Sequence, residues 1–193
     1  MTWLQKTQIN GITVKRVPAP PAEFARHKTD FDVVVVPDAL FDEFSSLESP
    51  ARMGFVLDLP ATAAPQTAVA SVVLDRVQDA GNVGSILRSA AAFGFRQVLA
   101  LSGTAALWSP KVLRAGMGAH FGVNLVEGAD EALVSELTLP LLATSSHAVQ
   151  AIHQVSLPWP CAWVMGHEGQ GVAAPLLQRC AQTLRIPQPG GEE

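Results

Sequence analysis

Two stretches of the sequence place polar residues and glycines where predicted strands end. The first, residues 74–94, contains Asn82 and Arg88 near the start of a predicted helix, and the second, residues 163–172, contains Glu168. Ligands of open α/β sheets bind at the carboxyl ends of the strands. We therefore expect Asn82, Arg88 and Glu168 to converge on one site.

Arg88 lies among small and apolar residues: Ile86, Leu87, Ala90, Ala91 and Phe93. A guanidinium in such surroundings needs a carboxylate partner or an anion to bind. One possibility is a substrate anion. The other is a structural salt bridge to Asp75, Asp79 or Glu168. The spacing of these residues leaves both possibilities open.

The helix that carries Arg88 is predicted over residues 82–93. Asn82 is expected to be its N-cap, because an amide side chain can accept the free N–H groups of the first turn. Gly94 suits the position after the helix, where the backbone becomes left-handed. Gly84, in the first turn, would allow another backbone or a ligand to approach closely.

Glu168 lies in a loop with three glycines: Gly166, Gly169 and Gly171. The loop is either a tight turn between a strand and a helix, which requires glycine, or a ligand-binding loop. A central carboxylate argues against a nucleotide phosphate, because phosphate loops present N–H groups to an anion. A neutral or cationic ligand fits better. His167 is expected to be an exposed loop residue rather than a base.

Short apolar runs alternate with helical patterns along the chain, which favours a largely parallel α/β sheet. Strands are predicted at 31–36, 53–57, 70–74, 97–101, 122–126, 139–144, 161–165 and 183–186. Helices are predicted at 38–47, 82–93, 110–117, 130–137 and 172–181. Ser109 is the expected cap of the helix that begins with Pro110.

The composition excludes several classes of protein. The 193 residues carry a net charge of −4, which excludes binding to nucleic acid by bulk positive charge but leaves room for a local basic patch. The apolar runs are far shorter than the roughly 20 residues that span a membrane. The two cysteines, Cys161 and Cys180, lack the spacing of metal ligands. We expect a cytoplasmic protein without a metal site.

Together the motifs resemble those of the SpoU (TrmH) family of RNA ribose 2′-O-methyltransferases. The first resembles the family's N-x-G-x-x-x-R, the second its G-x-E-G-x-G, and Ile186–Pro187 its I-P turn; residues 109–121 are also similar. The likeness covers about residues 70–193. Residues 31–58 resemble the second half of a small α/β domain similar to ribosomal protein L30e.

The resemblance implies an α/β fold of the SPOUT type, a parallel sheet with a trefoil knot. It implies a partial L30e-like RNA-binding domain at 1–60, a linker at 61–69 and a methyltransferase domain at 70–193. The implied cofactor is S-adenosylmethionine, the implied partner is ribosomal or transfer RNA, and the implied assembly is a homodimer with no role for membrane or metal.

The resemblance also implies roles for individual residues. Arg88 would act on the ribose 2′-hydroxyl as base or as phosphate anchor, and Asn82 and Glu168 would position it. The residues implied to bind the methyl donor are Thr144, Gly166, Gly169 and Ile186.

Two departures from the family pattern leave alternatives open. The front domain is short and lacks its opening helix and strand, and the third motif is incomplete. The Ser-Leu-Asn of the third motif would fall just past Glu193, so we expect this chain to lack the C-terminal segment, to bind the donor weakly and to transfer little methyl. A catalytically inactive RNA-binding dimer of the same fold is the alternative. A nucleotide-dependent oxidoreductase would need G-x-G-x-x-G, and residues 79–84 (D-A-G-N-V-G) have one glycine too few.

Overall fold

The chain divides into two compact units, Met1–Leu59 and Pro60–Glu193. The computed structural model describes residues 8–9, 12–13, 15–16, 34–44 and 64–188.

The described part of the first unit contains two short antiparallel pairs and one helix. β1 (Gln8–Ile9) pairs with β2 (Ile12–Thr13), and β3 (Lys15–Arg16) pairs with β4 (Val34–Val35). α1 (Asp38–Phe44) follows. β4 and α1 lie within the predicted strand 31–36 and helix 38–47, whereas the predicted strand 53–57 lies outside the described residues. The L30e-like character of this unit stays a prediction.

The second unit is built on a six-stranded sheet. Its strands are β5 (Ser71–Leu74), β6 (Gln97–Leu101), β7 (Asn124–Ala129), β8 (Leu141–Thr144), β9 (Ala162–Met165) and β10 (Gln182–Leu184). Its helices are α2 (Ala80–Ala92), α3 (Pro110–Gly116), α4 (Glu131–Ser135) and α5 (Ala174–Arg179). All strand pairs of this sheet are parallel, which confirms the predicted sheet.

The strand order is β10-β8-β9-β5-β6-β7. The chain runs outward through β5, β6 and β7, then crosses to the other half of the sheet for β8. β9 enters between β8 and β5, so the order reverses at the β5–β9 boundary. Such a switch point opens a crevice at the carboxyl ends of the strands. The predicted knotted path of the chain is not settled by the strand order and stays a prediction.

The core lies on both faces of this sheet, as expected for parallel strands buried on two sides. On one face Val72 and Leu74 pack with Leu87 of α2. On the other face Val73 packs in a second cluster with Leu176 of α5. The alternation along β5 therefore joins the two helical layers through one strand.

The start of α2 differs from the prediction. Its N-cap is Asp79, whose Oδ1 accepts the Asn82 N–H at 2.8 Å, so the expectation that Asn82 caps the helix is wrong. Both residue types are good caps, and the helix begins at the earlier one. As a consequence the Asn82 amide is free to bind elsewhere. The predicted Gly94 end (φ 84°) and Ser109 cap are confirmed.

Gly84 lets α2 and α3 touch through their backbones. A Cβ built at Gly84 would lie 2.3 Å from the Cβ of Ala115 and 2.8 Å from the backbone nitrogen of Gly116. Of the two expected reasons for a glycine here, close approach of another backbone is the one the structure shows. The contact fixes α3 against the first turns of α2.

Part of the predicted linker is hydrogen-bonded to the amino edge of the sheet. The fully buried Gln97 accepts the Gln66 N–H at 2.7 Å and donates from Nε2 to the Gln66 carbonyl at 2.9 Å. Thr138 N–H donates to the Thr67 carbonyl at 2.9 Å. Among the described residues, no helix is both long and apolar enough to cross a membrane.

Candidate functional site

Two loops meet at the carboxyl ends of β5 and β9. The first loop comprises residues 75–79 and leads into α2, and the second loop comprises residues 166–173 and leads into α5. The Asp75 N–H continues the strand pairing by donating to the Met165 carbonyl at 2.7 Å. The two motifs predicted to carry chemistry therefore lie side by side at the sheet edge.

Glu168 joins the second loop to the first. Its Oε1 accepts the Asp79 N–H at 3.0 Å and the Asn82 Nδ2–H at 3.1 Å. Its Oε2 accepts the Gln78 N–H at 3.2 Å. The carboxylate therefore satisfies backbone donors at the start of α2, where the helix dipole also favours negative charge.

These contacts keep Glu168 ionised. Desolvation acts to raise its pKa, but the hydrogen bonds from the Asp79 N–H, the Asn82 side chain, its own backbone and the Gln78 N–H outweigh it and lower the pKa to about 2. Hydrogen bonds to the charged form of a carboxyl stabilise that form. At neutral pH Glu168 is an acceptor and a fixed negative charge.

The second loop folds tightly on itself. His167 and Gly171 exchange two backbone hydrogen bonds, at 3.0 and 2.8 Å, and Gly171 has φ 70°. A Cβ at Gly166 would lie 2.2 Å from the carbonyl carbon of Gly171, so only glycine fits there. The Nδ1 atom of His167 accepts the N–H groups of Gly169 and Gln170 at 3.0 and 3.2 Å. The His167 ring thus shapes the turn. It lies in the loop, as expected, but its side chain is half-buried rather than exposed.

Asp75 and Arg76 form an ion pair that the motifs did not indicate. The buried Asp75 carboxylate accepts the Ala173 N–H at 2.6 Å and the Arg76 Nε–H at 2.9 Å. The Arg76 guanidinium also donates to Gln170 Oε1 at 3.0 Å. Arg76 has φ 60°, a left-handed conformation that costs a non-glycine residue on the order of 1–3 kcal/mol. Adjacent Asp and Arg residues at the end of a strand form no recognisable motif, so the sequence does not reveal this ion pair.

Arg88 is exposed on α2 and has no ion pair or hydrogen bond within the described part of the chain. The three carboxylates proposed for a structural salt bridge are used otherwise: Asp75 by Arg76, Asp79 by the start of α2, and Glu168 by Asn82. Arg88 follows Asn82 by six residues, about 9 Å along the helix and on a different side. The structure brings Asn82 to Glu168 within one chain and leaves the Arg88 guanidinium free.

The residues expected to bind the methyl donor follow adjacent strands. Thr144 ends β8 and pairs with Leu184 of β10, Gly166 follows β9, and Ile186 lies just past β10 with 57% of its surface exposed. Gly169 lies in the second loop, where its N–H is bound to His167. Thr144, Gly166 and Ile186 therefore share the sheet edge that carries Glu168. No group of three or more His, Cys, Asp or Glu in the described ranges could hold a metal ion.

Curated proteins similar in sequence to this chain are named as RNA methyltransferases. The chain is 28% identical over 169 residues to the 23S rRNA (guanosine(2553)-2′-O)-methyltransferase RlmP of Bacillus subtilis, covering 86% of this chain and 68% of that protein. Curated relatives that match at 35% to 39% identity are longer, and the chain spans only 22% to 47% of their length.

Two solved structures share the fold. A protein of the TrmH family from Porphyromonas gingivalis superimposes with a TM-score of 0.70 at 30% identity, over 86% of this chain and 70% of that one. The AdoMet-bound rRNA methyltransferase of Sinorhizobium meliloti superimposes with a TM-score of 0.60 at 27% identity, over 68% and 52% of the two chains. The family model described as "SpoU rRNA Methylase family" matches residues 70–193, which contain every site residue described above. The chain belongs to the SpoU rRNA methylase family.

Proposed function

We propose that the second unit transfers a methyl group from S-adenosylmethionine to a ribose 2′-hydroxyl of structured RNA, ribosomal or transfer RNA. The observation that carries this is the hydrogen bond between Asn82 and Glu168, which joins the two family motifs at the sheet edge and leaves Arg88 free for a substrate. The name of the B. subtilis relative supports the 2′-O chemistry, and the bound AdoMet of the S. meliloti structure supports the donor.

The residues at this edge fit the donor. S-adenosylmethionine, when bound, supplies a methyl group activated by a sulfonium cation. Three adjacent strand ends, at Thr144, Gly166 and Ile186, present backbone groups and apolar surface to a ligand. The ionised Glu168 nearby gives the edge a negative charge that suits a cation and not a phosphate.

Glu168 and Arg88 are proposed to have different roles in the reaction. Glu168 is held ionised by three donors, so it fixes the geometry of the two loops and is not poised to give or take a proton. The Arg88 guanidinium carries N–H donors and no acceptor. By donating to the ribose hydroxyl or to an adjacent phosphate oxygen, Arg88 would orient the hydroxyl oxygen towards the methyl group, and the hydroxyl proton would pass to solvent water.

The RNA-binding surface is proposed to lie along α2 and α3. These two helices contain three Arg and Lys residues, Arg88, Lys111 and Arg114, and no Asp or Glu, although the whole chain is acidic. Lys111 and Arg114 are exposed on α3, which packs against the first turns of α2 at Gly84. Arg76, just past β5, is not part of this surface in the proposal, because its guanidinium donates to Asp75 and Gln170.

A homodimer and a cytoplasmic location complete the proposal. The side chains of Phe93, Met117 and Phe121, on or beside α2 and α3, are 73% to 76% exposed, and burial against a second copy would remove this apolar surface from water. Replacing Met117 and Phe121 by Asp should convert a dimer to monomers in analytical ultracentrifugation. The B. subtilis relative supports a cytoplasmic location, whereas other relatives are named as mitochondrial.

The proposal is tested by following labelled methyl into RNA. The chain is incubated with methyl-labelled S-adenosylmethionine and total RNA, the RNA is digested, and 2′-O-methylated nucleosides are measured by mass spectrometry. We expect label in such nucleosides at a low level, in keeping with the weak donor binding expected from the sequence. Arg88→Ala should lower this level at least 100-fold, while Arg96→Ala, at the opposite sheet edge, should leave it unchanged. RNA binding with no 2′-O-methyl product would instead identify an inactive RNA-binding protein of the same fold.

A further inference from the structure

We infer that Arg76 is a positioning residue, which holds the second loop, and with it Glu168, in the geometry that methyl transfer requires. Arg76 belongs to none of the motifs that indicate the family's chemistry, and its guanidinium is bound to Asp75 and to the second loop. The part of this inference that concerns activity rests on the proposed function.

The Arg76 guanidinium bridges the two loops as a fork. On one side Nε and Nη2 donate to the two carboxylate oxygens of Asp75, at 2.9 and 3.2 Å. On the other side Nη1 donates to Gln170 Oε1 at 3.0 Å, and Nη2 to the Gly171 carbonyl at 3.4 Å. A planar guanidinium makes such paired contacts, whereas a lysine ammonium acts as a point charge.

Asp75 depends on this partner. Its side chain is 4% exposed, and its Oδ2 also accepts the Ala173 N–H at 2.6 Å. A buried carboxylate without a cation is strongly destabilised, so loss of Arg76 would weaken the hold of Asp75 on the end of the second loop. Asp75 and Arg76 thus fix the loop at Gln170, Gly171 and Ala173.

The two halves of the second loop are therefore tied to the first loop by different means. Glu168 reaches across to the start of α2, and the Asp75–Arg76 pair holds the segment that follows it. With the pair removed, the loop would be tethered through the exposed Glu168 carboxylate and the backbone bonds of its own turn. Glu168 would then sample positions away from Asn82.

The backbone conformation of Arg76 is a second indication that its side chain has a structural role. Its φ of 60° suits glycine, yet the position holds an arginine. The Arg76 N–H donates to Thr104 Oγ1 at 3.1 Å, which helps to hold this conformation. A Cβ at Gly103 would lie 3.2 Å from Arg76 Cγ, so the glycine there leaves room for the arginine stem. Thr104 and Gly103 therefore accommodate a strained residue, whose guanidinium binds Asp75 on one side and Gln170 on the other.

The first test measures amide hydrogen exchange of residues 166–173 in the chain without any ligand. Arg76→Gly adopts the same φ without strain and removes the guanidinium, whereas Arg76→Lys keeps the charge and loses the fork. We expect exchange about tenfold faster in Arg76→Gly and an intermediate rate in Arg76→Lys, since a hydrogen bond to a charged group contributes about 1.5–3 kcal/mol. Arg96→Ala, an exposed arginine at the amino end of β6, should exchange as the unchanged chain does. Equal rates in all four proteins would overturn the inference.

Gln170→Ala is the second variant in case Arg76→Gly fails to fold. It removes a single partner of Arg76 from an exposed position, so the fold should persist. We expect exchange of residues 166–173 to rise about two- to threefold, and a rate identical to that of the unchanged chain would contradict the bridging role.

The second test separates positioning from a general loss of structure. Because Arg76 does not touch the reacting atoms, Arg76→Gly should raise KM for S-adenosylmethionine about tenfold and change kcat at saturating donor less than twofold. A fall in kcat with KM unchanged would contradict positioning of the donor loop. Failure of the unchanged chain to bind S-adenosylmethionine in calorimetry would overturn the proposed function, whereas the exchange experiment would still decide the role of Arg76.

Discussion

Asn82 and Glu168 lie 86 positions apart in the chain, yet the Asn82 Nδ2–H donates to Glu168 Oε1 at 3.1 Å. The contact exists because β5 and β9 are neighbours in a parallel sheet, which puts the segments that follow them at one edge. Asn82 can make it because Asp79, and not Asn82, caps α2. Sequence preference predicts that the Asn82 side chain caps its own helix, but in the structure this side chain binds Glu168 of the second loop.

Glu168→Gln should lower kcat/KM by about 10- to 100-fold. The amide retains one acceptor oxygen for three donors and lacks the charge, and each hydrogen bond to a charged group contributes roughly 1.5–3 kcal/mol. The measurement is the initial rate of 2′-O-methyl formation as donor concentration varies. Glu136→Gln, an exposed residue beyond α4, is the matched control and should behave as the unchanged chain. Full activity of Glu168→Gln would show that joining the two loops does not require the carboxylate.

The stability of the second unit should fall in acid through Glu168. Its pKa is lowered from 4.5 unfolded to about 2 folded, so its contribution is complete above about pH 5 and is lost as the pH falls toward 2. Because the carboxylate is largely exposed, solvent screening limits the effect to under about 1 kcal/mol. Urea unfolding at pH 7 and pH 3 should show a larger loss for the unchanged chain than for Glu168→Gln. Equal losses in the two proteins would contradict a lowered pKa.

The order of helices and strands in the second unit is predictable because short apolar runs, helical patterns and cap residues are local signals. Ser109 before Pro110 predicts the start of α3 correctly, since no competing cap lies beside it. Asp79 and Asn82 are both good caps three positions apart, so local preference could not choose between them. β7 extends to Ala129, beyond its predicted end at residue 126, because the strand tolerates a shifted register at Gly128 (φ 68°).

The site is predictable only in part. The spacing of the glycines identifies the second loop as part of a site. Because ligands bind at the carboxyl ends of parallel strands, the sequence also predicts that this loop lies near the start of α2. The Asp75–Arg76 pair escapes prediction because nothing in the sequence indicates that an arginine will adopt φ 60° and turn back onto a distant loop. Arg88 has no carboxylate partner because Asp75, Asp79 and Glu168 bind other groups. Those contacts depend on the tertiary structure, which the sequence pattern does not reveal.

Gly84→Ala should destabilise the second unit by about 1–3 kcal/mol. Alanine in a helix normally gains about 1 kcal/mol over glycine, but the new methyl group would overlap the Ala115 side chain and the Gly116 backbone. Overpacking against a backbone outweighs the gain because neither helix can yield without displacing the core beneath it. Thermal unfolding measures the effect. Ser89→Ala, exposed on the same helix, should change the midpoint little, and a more stable Gly84→Ala would mean that α3 moves freely.

Lys111 and Arg114 should carry part of the affinity for RNA. Both are exposed on α3, and neither α2 nor α3 contains an acidic residue. Each lost phosphate contact lowers the dependence of binding on salt by about one unit in a plot of log K against log salt concentration. Lys111→Ala with Arg114→Ala should therefore weaken binding and flatten the slope by about two units, while donor affinity stays the same. Arg96→Ala, at the amino end of β6, removes a positive charge away from this surface and should leave the slope unchanged. Unaltered affinity and slope in the double variant would exclude α3 from the RNA-binding surface and leave Arg88 as the phosphate ligand to test next.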